Sequence, residues 1–172
     1  MKKRLIRGLI LPLLLILGTY IGIISIDDLN PLAEQSDPYQ VVRAVDGDTI
    51  IVDMDGANER IRLIGIDTPE SVHSDEKRNT EYGRIAAEFT ANQLEGKTVT
   101  LEYDVEERDQ YDRILAYVYL DGKMFNKTLL EEGLAKVTTY PPNVRYADSF
   151  VKLQKQAQKD RKGIWADMAF ED

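Results

Sequence analysis

Ile61-Arg62-Leu63-Ile64-Gly65-Ile66-Asp67-Thr68-Pro69-Glu70 is the stretch around which the chain is organised. An arginine sits inside an apolar, strand-like run, and such a run keeps a cation among Ile and Leu only where the charge has a partner. Pro69 cannot donate to a ladder, so the strand gives way to a loop carrying Asp67 and Glu70. Strict alternation puts Arg62 on the face of Ile64 and Ile66, and Asp67 on the other. Both reach one site only if the strand bends, and Gly65 is where a bend costs least. The stretch offers a cation for an anionic group and oxygens for a hard metal. The plainer alternative is a strand, a proline turn and a surface ion pair.

Upstream, Tyr39–Val45 and Thr49–Met54 are rich in Val and Ile and read as strands, and Asp55-Gly56 closes a hairpin to a third strand over Glu59–Ile66. Downstream, Glu81–Leu94 carries Ile85, Phe89 and Leu94 at helical spacing, with Gly96 suited to a C-cap. Lys97–Glu106 alternates Val99, Leu101, Tyr103 and Val105 with polar residues, which predicts a half-buried strand. A polar turn over Arg108–Asp112 leads to a strand, Arg113–Leu120, whose inner pattern is Leu115, Tyr117 and Tyr119. After the Asp121-Gly122 turn come a short helix, Asn126–Glu132, a brief strand, Leu134–Thr139, and a longer helix, Tyr146–Lys162, that Trp165 packs down. Five strands, a helix after the third and helices near the end predict a small closed β-barrel with about three helices, an α+β arrangement of the OB type.

The chain has 172 residues, no cysteine and one histidine, His73. Disulfides, thiolate sites, a cysteine nucleophile and a multi-histidine zinc site are excluded, so any bound metal is a hard, oxygen-ligated one such as calcium or magnesium. Residues 1–26 hold Lys2, Lys3, Arg4 and Arg7 and no acid, which leaves 18 basic and 30 acidic residues, a net charge of −12, for the rest. Such a body is not built to grip long nucleic acid through a basic face.

Met1–Arg7 is a positive leader, and Gly8–Ile26 is a 19-residue uncharged, mostly apolar segment, just long enough to span a hydrocarbon core. It is a cleaved signal peptide or a membrane signal anchor. The bulky residues from Tyr20 to Ile26 and the lack of a small-x-small pair before Asp27 favour the anchor. Positive charge before the segment and Asp27-Asp28 after it place the body outside the membrane. Residues 27–38 read as a linker and 39–168 as the domain.

Asp46-Gly47-Asp48-Thr49 adds two acids that share a face if extended, and like charges side by side ask for a cation between them. A plain Asp-Gly turn is the alternative there. Arg113, unless it is a rim residue paired with Asp109 or Asp112, forms with Arg62 a two-guanidinium clamp matched to phosphate oxygens. Several carboxylates, two arginines and no serine–histidine or thiol arrangement suit metal-assisted attack of water on a phosphodiester. They suit glycoside hydrolysis less well, since the arginines would be idle.

The span from Val41 to Trp165 resembles the thermonuclease family, the staphylococcal nuclease type. The resemblance rests on Ala44–Thr49, Arg62–Glu70, Glu81-Tyr82-Gly83, Asp109–Arg113, Leu115-Ala116-Tyr117, Gly133–Val137 and Ile164-Trp165, several separate motifs in the right order. It implies an OB-fold barrel and calcium-dependent hydrolysis of DNA and RNA to 3′-phosphate products. By the same resemblance Asp48, Asp67 and the carbonyl of Thr68 are expected as calcium ligands, with Asp46 an acid near the ion. Glu70 is expected to orient or deprotonate the attacking water, Arg62 and Arg113 to clamp the phosphate, and Tyr111, Leu115 and Tyr140 to form the nucleotide pocket. Gln110 and Thr139 depart from the family's pattern, where a lysine and a second pocket tyrosine stand. His73 is read as a loop residue rather than a general base. The expected protein is an exported, membrane-tethered, monomeric nuclease preferring single strands, and the alternative is an OB-fold module that holds nucleic acid without cutting it. With two arginines assigned to phosphate, the expected slope of log affinity against log salt is shallow, roughly −1 to −2.

Overall fold

The structure, a computed structural model, describes residues 35–70 and 80–166. The candidate anchor, most of the linker and His73 lie outside the described residues, among which no helix is long and apolar enough to cross a membrane. In chain order the elements are β1 (Tyr39–Asp46), β2 (Thr49–Met54), β3 (Ala57–Leu63), β4 (Ile66–Asp67), α1 (Glu81–Leu94), β5 (Thr98–Glu102), β6 (Ile114–Leu120), β7 (Lys123–Met124), α2 (Phe125–Glu131), β8 (Lys136–Val137) and α3 (Ala147–Lys159), followed by a 3-10 turn at Gly163–Trp165. Gln35 and Ser36, which the sequence places in the linker, already run beside β5. Ser36 N–H donates to Leu101 O, and the Thr100 hydroxyl donates to Gln35 Oε1.

Five strands close the expected barrel. The order is β3-β2-β1-β5-β6, and a parallel pairing of β3 with β6 (Ile61 with Ile114, Leu63 with Ala116) seals it. The hairpins close on Asp55-Gly56 and Asp121-Gly122 with both residues of each pair at positive φ, the backbone twist that matches a two-residue connection. Val41, Ile50, Val52, Ile61, Leu63, Leu101, Ala116 and Val118, each at most 1% exposed, belong to the main core.

Four elements depart from their expected form, each for a local reason. The third strand ends at Leu63 because Gly65, at φ +78°, turns the chain, and β4 resumes at Ile66 to pair with β8. The buried side chain of Asn126 takes over at the break, donating to Ile64 O at 2.9 Å and accepting from Val118 N–H at 2.9 Å. In β6 the buried residues are Ile114, Ala116, Tyr117 and Val118, while Leu115 and Tyr119 are half-buried. This strand lies between two neighbours, and its Tyr117 ring packs edge-on against Tyr146 and Phe150, so alternation does not mark its faces. The strand β5 stops at Glu102 and leaves Val105 exposed. Helix α1 buries Gly83, Ala86 and Thr90 beside the expected Leu94 and leaves Ile85 exposed, because at Gly83 and Ala86 it approaches the backbone of Glu70 and Gly47 too closely for large side chains. Trp165 packs with Ala157 of α3, Ile164 and Tyr82, as its position predicts.

Candidate active site

Asp46 ends β1 and Asp48 lies in the loop that joins it to β2, and α1 holds that loop from behind: the buried Thr90 hydroxyl donates to Gly47 O at 2.7 Å. Asp48 is only 6% exposed. Its Oδ2 accepts from Thr68 N–H at 2.8 Å and from the Thr68 hydroxyl at 3.2 Å, while Oδ1 accepts from the Thr49 hydroxyl at 3.1 Å. Asp48 therefore fastens the loop after β4 to the start of β2.

Arg62 finds the partners its setting demands. Nη1 donates to Leu63 O at 2.7 Å and Ile66 O at 2.9 Å, and Nη2 donates to Asp67 Oδ1 at 2.8 Å and lies 3.2 Å from Asp48 Oδ2. The guanidinium fills the inside of the bend at Gly65, so one charge both holds the bend and bridges two carboxylates. Glu70 is fixed through its backbone: Thr80, the N-cap of α1, donates its N–H to Glu70 O at 2.9 Å, and a methyl on Gly83 would overlap that carbonyl.

Across the cleft, Asp109 builds the second wall. Its Oδ1 accepts from the backbone N–H of Tyr111 at 2.9 Å and of Arg113 at 3.0 Å, and its Oδ2 accepts from Arg113 Nε at 2.7 Å. Among the described residues no acceptor meets the terminal nitrogens of Arg113, whose guanidinium lies 5.5 Å from the centre of the Tyr111 ring. Tyr111 and Tyr140 are 71% and 73% exposed, large aromatic faces of the kind on which bases stack. Asn143 ties their loops together, accepting from Glu106 N–H and donating to Glu106 O, both at 2.8 Å.

One cleft of about 930 Å³ receives all of these residues. Asp46, Asp48, Arg62, Asp67, Thr68, Glu70, Tyr111, Arg113, Leu115 and Tyr140 line it, as does Gln110. The two acidic shifts run in opposite directions. Partial burial raises the Asp67 carboxyl above its ordinary value; Arg62 and Lys136 oppose this, and Asp48 and Glu70 add to it. Burial also lifts Asp109, but the donors from Arg113 and Tyr111 outweigh it and hold its carboxyl low. The Asp67 wall is thus one where Arg62 does not fully offset the effect of burial. Its donors, two carboxylates and a backbone carbonyl with Glu70 nearby, are all oxygens, which fits a hard cation. Among the described residues no three acidic side chains form a closed metal cage, so the carbonyl and water would complete the shell.

The chain matches the family described as Staphylococcal nuclease homologue over residues 60–167. It is 50% identical over 131 residues to the Thermonuclease of Staphylococcus hyicus, covering 74% of this chain and 75% of that one. It is 49% identical over 134 residues to the Thermonuclease of Staphylococcus intermedius, covering 76% and 77%. The SPbeta prophage-derived endonuclease YokF of Bacillus subtilis is 42% identical over 129 residues, 72% of this chain and 42% of that protein. This chain belongs to the staphylococcal nuclease family. The family match takes in Arg62, Asp67, Thr68, Glu70, Tyr111, Arg113, Leu115 and Tyr140, whereas Asp46 and Asp48 lie upstream of it.

Several residues that shape this nuclease-family cleft are not singled out by the sequence. Asn126 and Asn143 act through buried amides that no spacing marks. Arg43, Arg60 and Arg108 also line the cleft. For Arg60 a signal does exist, since it alternates away from the buried Ile61 and Leu63; Arg43 falls two residues from the buried Val41, and only an irregularity of β1 between the two sets it outward.

Proposed function

We propose that the protein is a calcium-dependent nuclease that hydrolyses phosphodiester bonds of DNA and RNA to 3′-phosphate products, exported and held to the outer face of a membrane by residues 8–26. The observation that carries the reading is one cleft with Asp48, Asp67 and Glu70 on one wall and the unfilled guanidinium nitrogens of Arg113 on the other. Membership of the staphylococcal nuclease family and relatives named thermonuclease and endonuclease support it.

Asp48, Asp67 and the Thr68 carbonyl would hold the calcium, with Asp46 nearby, and the ion would supply positive charge to a phosphoryl oxygen. Arg113 donates from its terminal nitrogens to the phosphate oxygens, where negative charge grows as phosphorus becomes five-coordinate. Arg62, already bridging Asp67 and Asp48, adds its charge from the opposite wall. Glu70 accepts a proton from water as the water oxygen bonds to phosphorus. The bond from phosphorus to O5′ breaks, the departing O5′ takes up a proton, and the phosphate stays on the 3′ side. The proton Glu70 gained returns to solvent, so one water is consumed per cut. Tyr111 and Tyr140 stack flanking bases.

Digestion of single-stranded DNA with calcium and with excess EGTA tests the reading, with phosphatase treatment of the products to report the 3′ end. Cleavage in calcium that stops in chelator is expected; undiminished cleavage in EGTA overturns the calcium dependence. N-terminal sequencing tests the tether, and a mature start between Ser25 and Asp37 would identify a cleaved signal instead.

A further inference from the structure

The body's net charge of −12 repels a polyanion, so an arginine left without an acidic partner in the cleft stands out. Arg62, Arg84, Arg108, Arg113 and Arg145 are all ion-paired. The side chains of Arg43 and Arg60 make no ion pair or hydrogen bond to any described residue, both residues are exposed, and both line the same cleft as Arg62. The register puts them in one row: Arg43 of β1 lies opposite Ile51 of β2, and Ile51 lies opposite Arg60 of β3. Neighbouring strands are about 4.8 Å apart, so the two arginines stand roughly 10 Å from each other across the sheet. Arg60 and Arg62 are two residues apart on one strand, hence on one face and about 6.6 Å apart along it.

We infer that Arg43 and Arg60 form a phosphate track that carries the nucleic-acid strand away from the scissile site over the outer face of β1, β2 and β3. The inference rests on the nuclease reading above and adds a second contact region to it. The occupant is a single strand, since the row is continuous with the cleft and its charge opposes that of the body. Asp53, the next outward residue of β2 after Ile51, bounds the track; its Oδ1 is taken by Gly56 N–H. The track also changes the expected salt dependence. Four arginines on phosphate give a slope near −3 for single-stranded DNA, at about −0.7 for each neutralised phosphate, rather than −1 to −2.

The test uses the full chain in detergent, carrying Glu70→Gln, titrated with a labelled twelve-residue oligothymidylate at several salt concentrations and constant calcium. Arg43→Ala with Arg60→Ala is expected to make the slope shallower by roughly 1.4. Lys152→Ala with Lys155→Ala removes the same charge from exposed positions of α3 outside the cleft, and is expected to leave the slope unchanged. Arg43→Lys with Arg60→Lys is expected to keep most of the parent slope, which separates charge from any structural effect. A parent slope that survives loss of both arginines, or an equal change in the two alanine pairs, overturns the track alone. Failure of the parent to bind the oligonucleotide at all overturns the track together with the nuclease reading.

Discussion

Two clusters of charged side chains are built on this barrel, and they use the same residue types to opposite ends. Around Glu102, which is 1% exposed, every carboxylate oxygen is answered. Oε1 accepts from Arg145 Nη1 at 2.6 Å and from the Tyr146 hydroxyl at 3.0 Å, and Oε2 accepts from the hydroxyls of Tyr119 and Tyr146. Asp104 beside it accepts from the Tyr117 hydroxyl and from Arg145 N–H. Burial, then contact with these acids, pushes the Tyr117 and Tyr119 phenols far above their ordinary range, so they remain proton donors. In the cleft the matching is left unfinished. Arg62 alone bridges Asp48 and Asp67, the Asp67 carboxyl is raised, and Arg113 is gripped at Nε with its terminal nitrogens open. A cluster that satisfies itself contributes to the fold, and one that stops short is left to be completed by a ligand.

The sharpest way to break this contrast is to exchange the expected consequences. Arg113→Lys removes the planar fork and keeps the charge. Turnover should fall on the order of 10²–10³-fold, about 3–4 kcal/mol of transition-state stabilisation, with little change in melting temperature. Wild-type rates in this variant would show that the open guanidinium is not used. Glu102→Ala should do the reverse. It takes the acceptor from Arg145 Nη1 and from two tyrosines, which costs about 3 kcal/mol; the loss sits at the low end for a broken buried pair because Arg145 is one-third exposed and keeps Asp104 at 3.5 Å. Thermal unfolding should show the loss, while kcat per folded molecule stays within about twofold.

A smaller effect tests how firmly the cleft is held. In Gly83→Ala the new methyl meets the Glu70 carbonyl, so Glu70 or the start of α1 must shift. The gain in helix propensity, at most about 1 kcal/mol in this first turn, does not offset overpacking against the Glu70 and Pro69 backbone, so net stability should fall by about 1–2 kcal/mol. A displacement of the proposed base should slow turnover on the order of 10- to 100-fold. If kcat is unchanged while stability drops, the glycine serves packing alone.

The barrel was legible because its strands carry Val and Ile between Asp-Gly turns, and the bend was legible because an arginine, a glycine and a proline fall at fixed offsets in Arg62–Glu70. The sequence also brings together the residues of the cleft, since each candidate lies at a strand end or in a loop leaving one. What it hides depends on burial rather than pattern. Glu102 sits at an alternating position that reads as solvent-facing, and only Arg145 and the tyrosines, far along the chain, make it an interior residue. The small-residue face of α1 was hidden likewise, because Ile85 outweighs Gly83 and Ala86 in any hydrophobic count although the loop below admits only the small ones.

The last and smallest effect concerns Asp109, which belongs to both kinds of cluster: its own oxygens are satisfied, yet it aims an arginine whose other nitrogens are open. Burial raises its carboxyl and the Arg113 and Tyr111 donors more than reverse this, so its folded value lies below the ordinary one. The unfolded chain therefore binds the proton more readily. The stability supplied by ionised Asp109 is complete above the ordinary carboxylate range and disappears as pH falls through the lowered folded value. Asp109→Asn keeps an oxygen for the two backbone donors and loses the charge facing Arg113 Nε. At pH 7 the variant should be less stable by on the order of 1 kcal/mol, a partly solvated charged hydrogen bond. As pH falls below the ordinary carboxylate value and through the lowered folded one, its melting temperature should converge on that of the parent as the parent's own carboxylate is protonated. A gap that stays constant down to strongly acid pH would mean that Asp109 acts through loop shape rather than charge. In that case Arg113 would owe its orientation to the backbone of residues 109–113, and the distinction between the filled and the open end of its guanidinium would lose its electrostatic basis.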